Sequence, residues 1–137
     1  MKNKKGLSFV IIMIIIAIVA LLLRIAIVQI VKITIIHNES NAQSTLKSIS
    51  TALENYAKNN KNAYPDKFSY LFDTSPAYLN RDYTALNSFK GYIYSCPRLE
   101  SMGYTCSAIP LKCKLTGLTS FTITTGGALV KESCAKK

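Results

Sequence analysis

The chain reads as an α+β fold: a long N-terminal α-helix, membrane-spanning in its first half and amphipathic in its second, packed on a small antiparallel β-sheet head. Three observations predict it. Between Gly6 and Ile36 only Arg24, Gln29, Lys32 and a few hydroxyls interrupt the hydrocarbon. No glycine occurs between Gly6 and Gly91 and no proline before Pro65, so nothing in this stretch forces a helix to break. From Tyr64 onward the composition turns aromatic and β-branched, and all four cysteines lie there. A length of 137 residues leaves room for one small domain and an appendage. With 49% apolar and 18% charged residues the chain is no disordered tail, and 6 Gly with 4 Pro exclude a collagen-like one.

Residues 1–6 form a basic leader with three lysines and no acid. Residues 7–31 are the candidate transmembrane helix. From Leu7 to Leu23 every residue is apolar except Ser8. At about 1.5 Å per residue this run spans roughly 26 Å, just short of the ~30 Å hydrocarbon core of a bilayer. Arg24 can snorkel to headgroups, and Ile25–Val28, Ile30 and Val31 continue the helix. Lysines ahead of the span predict a cytoplasmic N-terminus and an exported remainder. A cleaved secretory signal would have a shorter core and a small-x-small site, neither of which is present. A plain signal anchor stays open as an alternative.

Residues 32–60 are expected to continue as an amphipathic helix. Ala42, Leu46, Ile49, Leu53 and Tyr56 step by four and three onto one face, with Lys47, Ser50, Thr51, Glu54 and Lys58 assigned to the other. Asn59-Asn60-Lys61-Asn62 reads as a stop. One helix from Ser8 to Lys58 would be about 76 Å long. The alternative is a helical hairpin broken at His37-Asn38-Glu39-Ser40. His37, with no Cys, Asp or second His at ligand spacing, reads as an interfacial polar residue rather than a metal ligand.

Residues 61–137 are the exported head. Tyr64 to Leu79 is irregular and aromatic. Gly91–Ser95 and Gly103–Ile109 are short strands separated by a Pro-containing turn, and Ser120–Thr124 alternates apolar with hydroxyl residues. Thr125-Gly126-Gly127-Ala128 turns a hairpin, and Ala128–Lys131 pairs back. Cys96, Cys106, Cys113 and Cys134 are even in number and confined to this head, as disulfides in an oxidising compartment would be. Three pairings are open. Sequential pairing, Cys96–Cys106 and Cys113–Cys134, is expected because the first closes the predicted hairpin and the second ties back the C-terminal tail. Zinc is the weaker reading, since there is no Cys-x-x-Cys and no partnering His.

Lys4-Lys5-Gly6 followed by Leu7-Ser8-Phe9-Val10 and a long aliphatic helix resembles the type IV pilin and type II secretion pseudopilin family. Ala63-Tyr64-Pro65 after the helix resembles it too, as does the order Tyr104, Ala108-Ile109-Pro110, Thr116-Gly117, Phe121-Thr122-Ile123 and Gly127. The resemblance implies cleavage after Gly6 by prepilin peptidase, with Lys5, Gly6 and Leu7 as the processing residues and N-methylation of Leu7. It implies a structural subunit in the bacterial inner membrane, afterwards in a periplasmic or extracellular filament. Its partners would be other pilin-like subunits packed helix to helix, the inner-membrane assembly platform and membrane lipid. No cofactor is implied. The family usually carries a glutamate at the fifth mature position, where this chain has Ile11. That carboxylate pairs with a neighbour's terminal amine, so Ile11 favours a minor or tip-proximal role over the main repeating subunit.

No catalytic set is apparent. The sole histidine is next to the predicted span, the acids Asp66, Asp73, Asp82, Glu100 and Glu132 lack paired spacing, and no phosphate loop occurs. Asp73 and Asp82 resemble the calcium loop of some pseudopilins, against the plainer reading of solvated loop acids. The chain is read as non-enzymatic. Its net charge of +10 includes three leader lysines, so the mature chain carries +7. The head has ten basic residues against five acids, with Lys112, Lys114, Lys131, Lys136 and Lys137 late in the chain. A DNA- or substrate-binding tip pilin of an uptake machine is thus an alternative, set against a merely solvated lysine-rich surface. An unrelated signal-anchored exported domain is the other.

Overall fold

The computed structural model describes residues 4–135, with side chains from Ser8 onward. Its contacts divide the chain into two units, Met1–Ile33 and Thr34–Lys137. Helix α1, Lys4–Asn59, supplies the first unit and opens the second. In the first unit the described side chains, apart from Ser8, Arg24, Gln29 and Lys32, are hydrocarbon and largely face outward, from Phe9 at 65% exposure to Ile33 at 64%. Nothing within the unit covers them.

The second unit places the remainder of α1 on a four-stranded antiparallel sheet in the order β1-β2-β3-β4, a simple meander. The strands are β1 Tyr92–Glu100, β2 Gly103–Pro110, β3 Thr119–Thr124 and β4 Ala128–Ser133. The α+β architecture expected from the sequence is therefore present. Helix α1 stops because Lys61 and Asn62 adopt left-handed backbone (φ 56° and 63°), which turns the Asn62 amide back onto the Ala57 carbonyl at 2.8 Å. Asparagine tolerates that conformation better than most residues.

Burial follows the two periods. Ala42, Leu46, Ile49 and Leu53 on the helix meet Tyr92, Tyr94, Tyr104, Cys106, Ala108, Phe121 and Ile123, alternate residues of three strands. Leu71, Leu79 and Tyr83, from the irregular stretch before β1, close the same cluster.

One alternative is set aside and two expectations are corrected. The alternative break at His37–Ser40 does not occur, since α1 runs through it; Asn38 and Glu39 bond to the sheet side instead of capping a new helix. Pro97 lies within a strand and not in a turn: β1 continues to Glu100, and the register shifts between Ser95 and Arg98. Proline is tolerated there because β1 is an edge strand and the bulge asks no ladder bond of it. Finally, Ser50 and Glu54 are not on the solvent face; Ser50 is 5% exposed and Glu54 half-buried.

Candidate functional site

Two surfaces are candidates: the bare stem, and the join between helix and sheet. Helix α1 contains one stretch long and apolar enough to cross a membrane, with a mean hydropathy of 3.3 in its most apolar window. Lys5, Gly6 and Leu7 fall in its first turns, where the backbone alone is described. Met1–Asn3 of the leader, and Lys136 and Lys137 of the basic cluster, lie outside the described residues. Ile11 is 52% exposed among other aliphatics, so this turn of the helix offers no carboxylate.

At the join, the helix grips the sheet through two acids, and these are the only acids before Asp66. Glu39 Oε1 accepts the amides of Leu118 at 2.8 Å and Thr119 at 3.0 Å, holding the entry to β3. Beside it Asn38 Nδ2 donates to the Thr116 carbonyl at 2.9 Å. Glu54 Oε1 accepts the Gly126 amide at 2.9 Å, in the turn after β3, and the Tyr104 hydroxyl at 3.0 Å. Its Oε2 accepts the Tyr64 hydroxyl at 3.1 Å. Fifteen residues of helix cover roughly 22 Å, and the eight-residue step from Leu118 to Gly126 covers about 26 Å as strand. The two acids thus hold opposite ends of one strand.

Ser50 completes the network by bonding to the Tyr104 hydroxyl at 2.7 Å. With Tyr104 donating to Glu54, Ser50 is the donor to Tyr104. Burial, reinforced by Glu54, pushes the Tyr104 phenol up to about 12 against the opposing Ser50 bond. Burial also raises Tyr64, next to Glu54, and raises Tyr92, near Glu39. Tyr94 is raised by burial too, and its hydroxyl makes no hydrogen bond; the Thr45 hydroxyl is close enough to moderate the shift without being placed to bond. The periodicity puts Ser50 and Glu54 on the wrong face, and the sequence offers Glu39 only as part of a possible helix break and Tyr104 only as part of the resemblance. The available signal was two isolated acids on an otherwise acid-free helix.

The cysteines pair as Cys96–Cys106 and Cys113–Cys134. Cys106 is fully buried in the core, while Cys113 and Cys134 flank the β3–β4 hairpin. Among the described residues no three His, Cys, Asp or Glu side chains gather at metal-binding range. Asp82 accepts the Thr84 amide and hydroxyl and the Ala85 amide, shaping its own loop, and Asp73 is exposed elsewhere. His37 is exposed and bonds to Asn41 at 2.8 Å. A groove of about 1120 Å³, of mixed polar and apolar lining, runs between the outer face of α1, at Ser44, Lys47 and Ser48, and Tyr78 and Tyr83.

Comparison with protein-family models, with curated proteins and with solved structures finds no match. What the fold defines is a class: an α+β head, cross-linked by two disulfides, on a helix whose other part is apolar enough to cross a membrane.

Proposed function

We propose that this chain is a non-enzymatic structural subunit of a type IV pilus or type II secretion pseudopilus. In this reading prepilin peptidase cuts between Gly6 and Leu7, and the freed amine of Leu7 is methylated. The head is exported while the N-terminus stays cytoplasmic in the inner membrane. Subunits then pack stem to stem, and the hydrocarbon that faced lipid faces its neighbours.

The observation that carries the reading is a single helix, Lys4–Asn59, that is bare hydrocarbon in one unit and the core partner of a sheet in the other. A lone apolar helix with nothing packed on it has reason to exist only in lipid or against other copies. Ile11 favours a minor or tip-proximal role, since it cannot neutralise a neighbour's amine in an apolar filament core.

Mass spectrometry of the mature protein tests this directly. A methylated Leu7 at the N-terminus is expected; an intact Met1, or cleavage beyond Leu23, overturns the assignment. Ile11→Glu is expected to raise incorporation into filaments, and unchanged incorporation would remove the explanation for a minor role.

A further inference from the structure

The loop from Leu111 to Leu118, between β2 and β3, holds apolar side chains out into solvent. Leu111, Leu115 and Leu118 are each about half exposed, as is Ile109 just before them. The loop is braced in this form. The Lys112 carbonyl accepts the amides of Leu115 and Thr116, and Lys114 donates its amide to the Gly117 carbonyl at 2.9 Å. Thr116 Oγ1 accepts the Lys112 amide, and Cys113 is cross-linked to Cys134. Leucines held this way cannot fold back onto the core, and exposed apolar clusters of this kind mark interaction surfaces.

Its position narrows the partner. Thr116 and Leu118 are bonded to Asn38 and Glu39. These residues follow Ile36, the last of the exposed aliphatic residues of α1, by two and three positions. The loop therefore lies within a turn of the level at which the hydrocarbon of the helix ends. Its charge agrees: Lys112 and Lys114 stand in the loop, Lys90 beside it bonds Asn41, and Ile109–Thr119 contains no acid. Two carboxylates stand near it: Glu39, which already accepts two amides, and Glu132 on β4, opposite Ser120 and two residues before Cys134.

We propose that this loop seats the head on the membrane surface, with Leu111, Leu115 and Leu118 entering the headgroup–acyl boundary and Lys112 and Lys114 meeting anionic phospholipid headgroups. The inference rests on α1 crossing that membrane. Leucine and lysine together suit such a boundary, because each half of the pair finds its own layer. The seat fixes the head against the bilayer before assembly, and leaving it would accompany entry into a filament.

The chain contains no tryptophan, so a single introduced one is an unambiguous reporter. Full-length Leu115→Trp would be reconstituted in phosphatidylcholine–phosphatidylglycerol vesicles with brominated acyl chains. Ile16→Trp reports on the span, and Met102→Trp, in the β1–β2 turn beyond the far end of α1, reports on the rest of the head. Blue-shifted, strongly quenched emission from Leu115→Trp, with unquenched emission from Met102→Trp, is expected. Leu111→Trp, a second reporter, should behave as Leu115→Trp does. Adding Lys112→Glu and Lys114→Glu should abolish most of the quenching in anionic vesicles; undiminished quenching overturns the role of charge. Leu115→Trp and Leu111→Trp unquenched beside a quenched Ile16→Trp overturns the loop's seat and leaves the span intact. An unquenched Ile16→Trp overturns the span itself, and the seat with it.

Discussion

Tyr104 and Glu54 meet across the helix–sheet join, the phenol donating to Oε1 over 3.0 Å while Ser50 bonds the same hydroxyl from below. This places a carboxylate, a phenol and a serine hydroxyl at the edge of an aromatic core, each with a partner. Tyr94, one strand away and equally buried, has none. The contrast supplies a matched pair of substitutions. Tyr104→Phe is expected to destabilise the head by about 1.5–3 kcal/mol, the range for a hydrogen bond to a charged group, because Glu54 loses a donor in a half-buried place. Tyr94→Phe removes an oxygen that bonds nothing and should be neutral or slightly stabilising. Urea unfolding of the full chain in detergent checks both; equal losses would refute the assignment.

The same phenol sets an alkaline limit. Tyr104 is raised by burial from the ordinary 10.0 to about 12, so the folded head holds that proton more tightly than the unfolded chain. Stability from this source is complete below pH 10.0 and disappears as pH rises through about 12. Tyr64, Tyr92 and Tyr94 are raised in the same direction and add to the slope. Unfolding midpoints should therefore fall across this window, and Tyr104→Phe should flatten part of the fall. Phenolate absorbance should show these tyrosines ionising together with unfolding rather than before it.

Glu39 anchors the entry to β3 and with it the leucine-bearing loop. Glu39→Ala leaves the Leu118 and Thr119 amides without their acceptor and should cost about 1.5–3 kcal/mol. Glu39→Gln keeps an acceptor oxygen and should cost less. Amide hydrogen exchange discriminates: protection at Leu118 and Thr119 should drop far more in Glu39→Ala, whereas protection in β1 should hold. A uniform loss of protection would mean that Glu39 supports the whole head and not this corner.

Gly117 is small for a packing reason. A Cβ there would overlap the Tyr92 hydroxyl and sit 2.7 Å from Cζ of a fully buried ring. That hydroxyl is itself pinned, donating to the Thr119 carbonyl at 2.7 Å. Gly117→Ala should therefore destabilise by about 1–3 kcal/mol, as overpacking does. Gly126→Ala, at a site with open space, would suffer only from its left-handed backbone (φ 84°). A thermal melt in which Gly117→Ala is unchanged would contradict the packing.

The disulfides should differ in effect. Cys113–Cys134 closes 21 residues and Cys96–Cys106 closes 10. Loop-closure entropy makes the longer one worth about 0.6 kcal/mol more, each lying within roughly 2–4 kcal/mol. Serine replacement of each pair, followed by urea unfolding, measures the difference.

Much of this was readable in local chemistry. The unbroken helix followed from an absence of glycine and proline, and its end from the Asn59–Asn62 run. β3 followed from strict alternation in Ser120–Thr124, and the β3–β4 turn from Gly126-Gly127. Pro97 was misread because a proline is equally at home in a turn and in an edge-strand bulge, and strand order is not local information.

The class of each element, the bare hydrocarbon of the stem and the confinement of the cysteines to the head all come from patterns within a few tens of residues. Which helix positions are covered does not. A four-stranded sheet is about 14 Å across, three spacings of ~4.8 Å, and wider than the ~10 Å helix lying on it. It shelters the flanks of the apolar stripe as well as its centre. Ser50 and Glu54, polar by sequence and off the stripe by count, are drawn under that roof to Tyr104, a residue 50 positions from Glu54. Glu39 likewise meets Leu118 across 79 positions of chain. Local periodicity assigns a face; the width and register of the partner set how much of the helix that face includes.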